Sequence, residues 1–424
     1  MLMLPQPSRI EEPAMAPAYR ADHIGSLLRP KALLDARANK DMTKTYPAEV
    51  TEAITKAEVD AIKDALKEQT SRQIYPLTNG EYPRAIFYSG LFENLHGMTT
   101  YPALPVPEAF RTDFPTTDGL LKQFGFKTRS CIIATDKIRF NDASPPYLAE
   151  WLQFRDLLPD EKAWTKAKIT IPAPSWEHVQ LKPGTAYTPE SGYKDDEAYF
   201  RDLATCYTKT IKALYDHGCR FVQLDDPHLT YFCDTTFLSG CAKDGTNTDD
   251  LLDLYIKVYS WILEPIKSDS KYSDLRVGMH LCRGNMAGST HWVSGGYEKI
   301  AQKLFNDAAG IDTFYLEFDD EERAGGFEPL SCLPRGKNVV LGLVSTKVAD
   351  IEDKGMLVKK VEQASNIIAD AWGVDAKEAR DEALAISPQC GFSSHSMGKG
   401  KGMTWDRQWE KLELLRDVAK EIWS

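Results

Sequence analysis

Residues 276–282 read Arg-Val-Gly-Met-His-Leu-Cys, an apolar run of strand length that ends on two reactive side chains, His280 and Cys282. Positions i and i+2 of a β-strand face the same side of a sheet, so both side chains can reach one common ligand. The stretch therefore predicts a buried strand whose carboxyl end carries chemistry.

The same pattern recurs along the chain. Eight strand-like runs occur at residues 19–25, 74–79, 167–171, 220–224, 276–281, 313–318, 339–344 and 383–387. Helical spacing of apolar residues separates most of them, at residues 48–67, 197–217, 249–266, 297–309, 358–372 and 405–423. This alternation predicts an α/β fold, specifically a (β/α)8 TIM barrel. A doubly wound open sheet is the alternative, but no Gly-x-Gly-x-x-Gly turn follows the first run.

The chain has 424 residues, of which 42% are apolar, enough for one large core. We predict a single barrel domain over residues 18–424. Its second strand is followed by an insertion at about residues 86–161, which holds Pro-rich loops and a further strand-like run. Residues 1–17 are Pro-rich with mixed charge, which favours a disordered tail over a signal peptide.

Composition excludes several classes of protein. The chain has 51 basic and 62 acidic residues, a net charge of −11, which argues against a nucleic-acid binder. It contains no apolar run of about 18 residues, so no membrane span is expected. Its eight cysteines are scattered, which fits a reduced cytoplasmic protein better than a disulfide scaffold.

The strand ends supply a set of metal-binding side chains. Glu317 ends the sixth run and Cys390 follows the last. Together with His280 and Cys282 they offer nitrogen, sulfur and oxygen donors that suit Zn²⁺. Taken singly, Cys282 is better explained as a buried core cysteine and His280 as a hydrogen-bonded histidine. Two thiolates and a carboxylate around Zn²⁺ leave a formal charge of −1, which keeps a bound substrate sulfur nucleophilic. That favours alkyl transfer to a thiol over activation of water.

Acidic residues at the same strand ends predict a binding site for a substrate amino group. Asp225 follows the fourth run and Glu81 follows the second, and either can bind a substrate amino group. Loop capping is the alternative role for Asp225. Arg323, close after Glu317, either orients an acid near the metal or is a surface charge.

Taken together, the strand ends resemble those of the cobalamin-independent methionine synthase family, in its short, single-barrel form. The matching stretches run from about residue 19 to about residue 395. They are His23-Ile24-Gly25-Ser26, Asn79-Gly80-Glu81, Gln223-Leu224-Asp225-Asp226-Pro227, His280-Leu281-Cys282, Glu317 and Ser387-Pro388-Gln389-Cys390-Gly391-Phe392.

The resemblance implies a role for each matched position. Zinc is expected at His280, Cys282, Glu317 and Cys390, with Glu317 leaving the metal when a substrate thiolate arrives. The carboxylate of homocysteine is expected at Ile24, Gly25 and Ser26, and its ammonium group at Glu81 and Asp225.

Three positions depart from the family pattern. The acid with which the family contacts the pterin, expected after Asp225-Asp226-Pro227, falls near Tyr231. The family's proton-donating histidine falls on residues 344–347, where Lys347 is the nearest substitute, so Lys347 and Asp225 are the predicted catalytic residues. The family's folate-stacking tryptophan falls on Ala173-Pro174, and Trp176 is offset from it. These departures leave the identity of the methyl donor open.

The predicted function is zinc-dependent S-methyl transfer to homocysteine, from methyltetrahydrofolate or another methyl donor, with methionine as product. One alternative is a zinc-dependent thiol alkyltransferase or carbon–sulfur lyase that acts on an epoxide or a specialised metabolite. Two others are a non-catalytic protein with structural zinc and a metal-free decarboxylase on a related barrel.

Overall fold

The computed structural model describes residues 16–37, 51–285, 292–394 and 400–424. Residues 1–15 of the predicted tail lie outside this range, as do residues 48–50 of the predicted helix 48–67.

A six-stranded parallel sheet forms the centre of the fold. The strands of this sheet lie side by side in chain order, so each one pairs with the next along the sequence. They are β3 (Ile169–Pro172), β4 (Phe221–Asp225), β5 (Arg276–Leu281), β6 (Thr313–Glu317), β7 (Asn338–Val344) and β8 (Leu384–Pro388). Six of the eight predicted runs are thus confirmed as strands. Nearly every residue in them is buried, as expected for a parallel sheet covered by helices.

Helices connect the strands, which confirms the predicted α/β class. In chain order they are α1 (Lys31–Arg37), α2 (Glu52–Ser71), α3 (Pro115–Phe124), α4 (Leu148–Arg155), α5 (Glu161–Trp164), α6 (Trp176–Gln180), α7 (Asp196–Asp216), α8 (Thr235–Lys243), α9 (Thr248–Lys267), α10 (Ala301–Asp307), α11 (Glu321–Ala324), α12 (Lys354–Trp372), α13 (Ala376–Ala383) and α14 (Trp405–Ile422). Side-chain caps begin several of them, for example Asp195 on α7, whose carboxylate accepts from the backbone N–H of Ala198. None of the helices in the described ranges is long and apolar enough to cross a membrane.

The first two predicted strands are not strands in the structure. The backbone of residues 19–25 pairs with the sheet at one parallel bridge, from Ala21 to Ile386 in β8. Residues 74–79 do so through one bridge, from Leu77 to Ala167 beside β3. Pro76 has no N–H to donate, which limits regular pairing of the second segment. The observed architecture is therefore a six-stranded parallel sheet, and a closed barrel is not established by these bridges.

The region after residue 86 forms an antiparallel hairpin of β1 (His96–Pro105) and β2 (Thr128–Arg139). A salt bridge ties this region to the strand ends, because Glu150 of α4 contacts Arg84 at 2.8 Å. The Glu150 carboxylate also accepts a hydrogen bond from Asn79. These contacts hold the region over residues 79–84.

Candidate metal centre and amino-acid pocket

Three of the four predicted metal ligands lie together. His280 is near the end of β5, Cys282 directly follows that strand, and Cys390 follows β8. Their ligand atoms all lie within 4.8 Å of one another, and the two sulfur atoms are 3.4 Å apart. Residues 108 positions apart in sequence thus meet because both strands end at the same edge of the sheet.

Several polar atoms at this point lack protein partners. Both ring nitrogens of His280 are buried without a hydrogen bond, and so is Oε1 of Glu317. Unpaired buried polar atoms are costly, and a coordinated cation would satisfy them. The adjacent Cys390 thiol and burial hold the pKa of Cys282 well above its usual range, so this site needs a positive charge to stabilise thiolates. The donor set therefore fits a metal ion.

Glu317 lies beside this group but is held by another partner. In the sheet register Leu281 pairs with Leu316, which places Glu317 level with Cys282 on the neighbouring strand. Its Oε2 accepts from Arg323 at 2.6 Å, and the second guanidinium nitrogen of Arg323 binds Asp319 at 2.9 Å. Burial opposes ionisation of Glu317, but the charges of Arg323 and Lys347 outweigh it and lower its pKa. Glu317 is thus a carboxylate with one oxygen occupied and one free.

Replacing Arg323 with methionine should lower the urea midpoint of unfolding. The substitution leaves Glu317 and Asp319 buried without their cation, which typically costs about 3–5 kcal/mol. The control is Arg335→Met, which removes ion pairs at a guanidinium whose side chain is 44% exposed and should cost less than about 1 kcal/mol. Equal midpoints for the two variants would contradict a buried structural role for Arg323.

Lys347 lies close to the metal group without pointing at an acid. Its Nζ donates to the backbone carbonyl of Gly284 at 2.5 Å. Gly284 lines the same cleft as Cys282 and Cys390, so the ammonium group lies next to the cleft lining. Its assignment as proton donor stays a prediction.

A cleft opens beside the three ligands and is lined by His280, Cys282 and Cys390. Of the residues predicted to bind the amino acid, Ile24, Ser26, Glu81 and Asp225 line it. Gly25 lies between two of these. Its φ is +135°, and a Cβ at this position would lie only 2.9 Å from the Thr170 side chain, so the position requires glycine.

Glu81 is held in a strained backbone conformation, with φ of +59°. Its Oε1 accepts from the Thr170 hydroxyl at 2.6 Å, whereas Oε2 is buried without a partner. Burial raises the pKa of Glu81, and the nearby Arg84 opposes this. Glu81 therefore presents one free carboxylate oxygen at the cleft.

Asp225 ends β4 on the other side of the cleft. Its Oδ1 accepts from the side-chain amide of Gln223 at 2.7 Å. Burial raises the pKa of Asp225 to about 7, against the lowering effect of His280. A ligand ammonium beside Asp225 and Glu81 would stabilise both carboxylates, since opposite charge favours ionisation.

The segment of residues 24–26 is fixed through its carbonyl groups. The carbonyl of Ile24 accepts from Gln223, that of Gly25 from the Thr78 hydroxyl, and that of Ser26 from the backbone N–H of Phe392. The segment is therefore rigid before any ligand binds.

Aromatic side chains form one wall of the cleft. Trp176 stacks on Tyr88 with ring centroids 4.2 Å apart and on His228 at 4.6 Å. Tyr231 and Trp292 also line the cleft. Because both faces of Trp176 are covered, a planar ligand cannot stack on it in this arrangement.

Two buried residues under the cleft, Lys168 and Gln223, have no role that the sequence predicts. A signal for Lys168 exists, since it is a charged residue directly before the strand β3, which is buried throughout. The stack of Tyr88, Trp176 and His228 had no comparable signal, because its members come from three separate segments.

No protein-family model matches this chain. The YxjG protein of Bacillus subtilis, whose function is uncharacterised, is 30% identical over 412 residues, 96% of both chains. YxjH of the same organism is 30% identical over 98% of this chain and 97% of its own length. The methionine synthase of Pyrococcus abyssi is 23% identical over 54% of this chain and 52% of that protein.

Solved structures show the same fold. One, assigned as a vitamin-B12 independent methionine synthase from Listeria monocytogenes, has a TM-score of 0.67 and 26% identity over 97% of this chain and 99% of that one. Another, a B12-independent methionine synthase from Shewanella in complex with selenomethionine, has a TM-score of 0.64 and 18% identity over 95% of this chain and 97% of that one. The second likeness concerns the fold alone.

Proposed function

This chain belongs to the cobalamin-independent methionine synthase family, and on that premise we propose that it is a zinc-dependent S-methyltransferase that converts homocysteine to methionine. The observation that carries the proposal is the group of His280, Cys282 and Cys390 within 4.8 Å, on the wall of a cleft with two acids. A structural zinc site would be closed, whereas these side chains line a cleft.

The proposed metal is zinc, held by His280, Cys282 and Cys390, with the free oxygen of Glu317 as the fourth donor. Sulfur and nitrogen donors favour zinc over magnesium or calcium, which prefer oxygen. When bound, zinc supplies the Lewis acidity that keeps an acceptor thiol ionised at neutral pH. Arg323 occupies the other oxygen of Glu317 and keeps the carboxylate aligned.

The proposed amino-acid site has two ends. Glu81 and Asp225 bind the ammonium group of homocysteine, because each offers a buried carboxylate at the cleft. The N–H groups of residues 24–26 and the Ser26 hydroxyl bind its carboxylate. Between these ends the substrate side chain is directed toward Cys282 and Cys390, where its sulfur accepts the methyl group.

The chemical step forms a carbon–sulfur bond and breaks the bond from the methyl group to its carrier. A tertiary amine carrier takes up a proton as it leaves. We propose that Lys347 delivers it, since its Nζ is held at the carbonyl of Gly284 in the lining of the cleft. Asp225, the other residue predicted to be catalytic, stays ionised against the substrate ammonium group and positions homocysteine.

The donor is a methylated folate or another methyl carrier. Stacking of a pterin on Trp176 requires that Tyr88 or His228 first move away, since both faces of the indole are covered. The alternative of a thiol alkyltransferase or carbon–sulfur lyase has no specific observation in its favour.

The proposal extends to the architecture. We propose that residues 19–25 and 74–79 complete a (β/α)8 barrel as its first two strands, in a single domain of residues 18–424 with the insertion at 86–161. The single bridges to β8 and β3 support this, as does a small buried cluster formed by Ile24, Phe221, Tyr315, Val340 and Ala385. All eight cysteines are free, which supports a reducing, cytoplasmic location.

Zinc-loaded protein should consume the free thiol of L-homocysteine and form methionine when given a suitable methyl donor. The measurement is a donor screen that begins with methyltetrahydrofolate and follows both free thiol and methionine by mass spectrometry. Cys390→Ser protein is the matched control. Thiol loss without methionine, seen only with an epoxide, would instead support the alkyltransferase alternative.

A further inference from the structure

Lys168 is a buried lysine immediately before β3, below the amino-acid pocket. Its Nζ donates to three acceptors: Oδ1 of Asp22 at 2.9 Å, the carbonyl of His23 at 2.5 Å and Oε1 of Gln223 at 2.8 Å. An ammonium group has three N–H donors, so every one of them is used.

These contacts allow only one orientation of the Gln223 amide. Its oxygen faces Lys168, so its nitrogen must face the opposite side. There it donates to the carbonyl of Ile24 at 2.8 Å and to Oδ1 of Asp225 at 2.7 Å. The carbonyl of Ile24 only accepts hydrogen bonds and the ammonium group of Lys168 only donates them, so a flipped amide would lose both of these contacts.

Gln223 therefore connects two parts of the pocket that are far apart in sequence. One is Asp225, assigned to the substrate ammonium group, and the other is the segment containing Ile24, assigned to the substrate carboxylate. Lys168 also holds the segment that contains Ile24, because its Nζ donates to the carbonyl of His23. Asp22 is held in turn by the Tyr315 hydroxyl at 2.7 Å.

We infer that Lys168, acting through Gln223, is a positioning residue that sets the spacing between the ammonium and carboxylate sites of the amino-acid pocket. This inference rests on the proposed function. Lys168 does not touch the substrate. Its effect falls on recognition of the amino-acid group and leaves the sulfur end, at Cys282 and Cys390, unchanged.

The alternative is that Lys168 only stabilises the fold, as buried ion pairs at other places do. The two roles differ in which ligands they affect. A structural defect weakens the binding of every thiol that enters the cleft. A positioning defect weakens only the binding of ligands that carry the amino and carboxylate groups. L-Homocysteine and 1-propanethiol form a suitable pair, because the second lacks both groups.

The test measures binding of both thiols to zinc-loaded protein by calorimetry, in wild type, Lys168→Met and Gln223→Met. Gln223→Met keeps the pairing of Lys168 with Asp22 and removes the link to Asp225, so it serves even if Lys168→Met does not fold. Loss of hydrogen bonds to charged groups predicts homocysteine binding at least about tenfold weaker, with propanethiol within about twofold of wild type.

Lys267→Met is the matched control. Lys267 also donates to a carboxylate, Asp312, and to a carbonyl, that of Leu275, but at the amino ends of the strands. It should leave the ratio of the two affinities as in wild type. An unchanged ratio in Gln223→Met, or an equal shift in Lys267→Met, overturns the inference. Wild-type protein that binds no homocysteine overturns the proposed function, and the inference with it.

Discussion

Changing Cys282 or Cys390 to serine should abolish both zinc binding and methyl transfer. Each variant replaces a thiolate donor with a hydroxyl, which is a poor ligand for zinc at neutral pH. Replacing a residue that only supports a metal ligand typically lowers metal affinity about 10- to 100-fold, so replacing the ligand itself should lower it further. We expect about one zinc per wild-type chain and less than about a tenth of that in either variant.

Cys219→Ser is the control for this experiment, since Cys219 is also buried and free but precedes β4 at the opposite end of the sheet. Metal analysis after gentle purification and the methionine assay give the two readouts. Zinc and turnover retained in both Cys282→Ser and Cys390→Ser would rule out the proposed metal centre.

Neutralising the acids at the cleft should weaken homocysteine binding strongly. Asp225→Asn and Glu81→Gln keep the side-chain shapes but remove the charges proposed to face the substrate ammonium group. Loss of one partner of a buried charge pair costs about 2–5 kcal/mol, so each should weaken binding at least about 30-fold. Calorimetric titration of zinc-loaded protein with L-homocysteine measures this.

The control ligand is 4-mercaptobutanoate, which matches homocysteine but lacks its amino group. The affinity of both variants for 4-mercaptobutanoate should equal or exceed that of wild type. This ligand has no ammonium group, so the carboxylates of Asp225 and Glu81 do not help to bind it. If the variants weaken this ligand as much as homocysteine, Asp225 and Glu81 shape the cleft and do not recognise the ammonium group.

Much of the fold follows from local pattern. Six of the apolar runs are strands, and the helical spacings at 197–217, 249–266, 358–372 and 405–423 correspond to α7, α9, α12 and α14. Burial on both faces makes parallel strands apolar throughout, which is a strong signal along the chain. The segments at 19–25 and 74–79 carry the same signal, yet each forms only one bridge, because pairing depends on the neighbouring strand as well as on composition.

The candidate site, like the fold, can be predicted from the sequence only in part. The donors that stand at strand ends can be identified from sequence alone, since position in an apolar run and side-chain chemistry are both local properties. Which of these donors meet depends on how the strands pack. The packing brings Cys390 to Cys282, while it places an oxygen of Glu317 on Arg323.

The tertiary structure also decided how the pocket is supported. Gln223 can link Asp225 to Ile24 only because Lys168 occupies its other end, and these contacts join residues from three distant segments. Hydrogen bonds act over about 3 Å and depend on direction, so they are set by packing in three dimensions and leave little trace in a one-dimensional pattern. Strand periodicity is a property of consecutive residues, whereas these hydrogen-bond networks form only when the strands lie side by side.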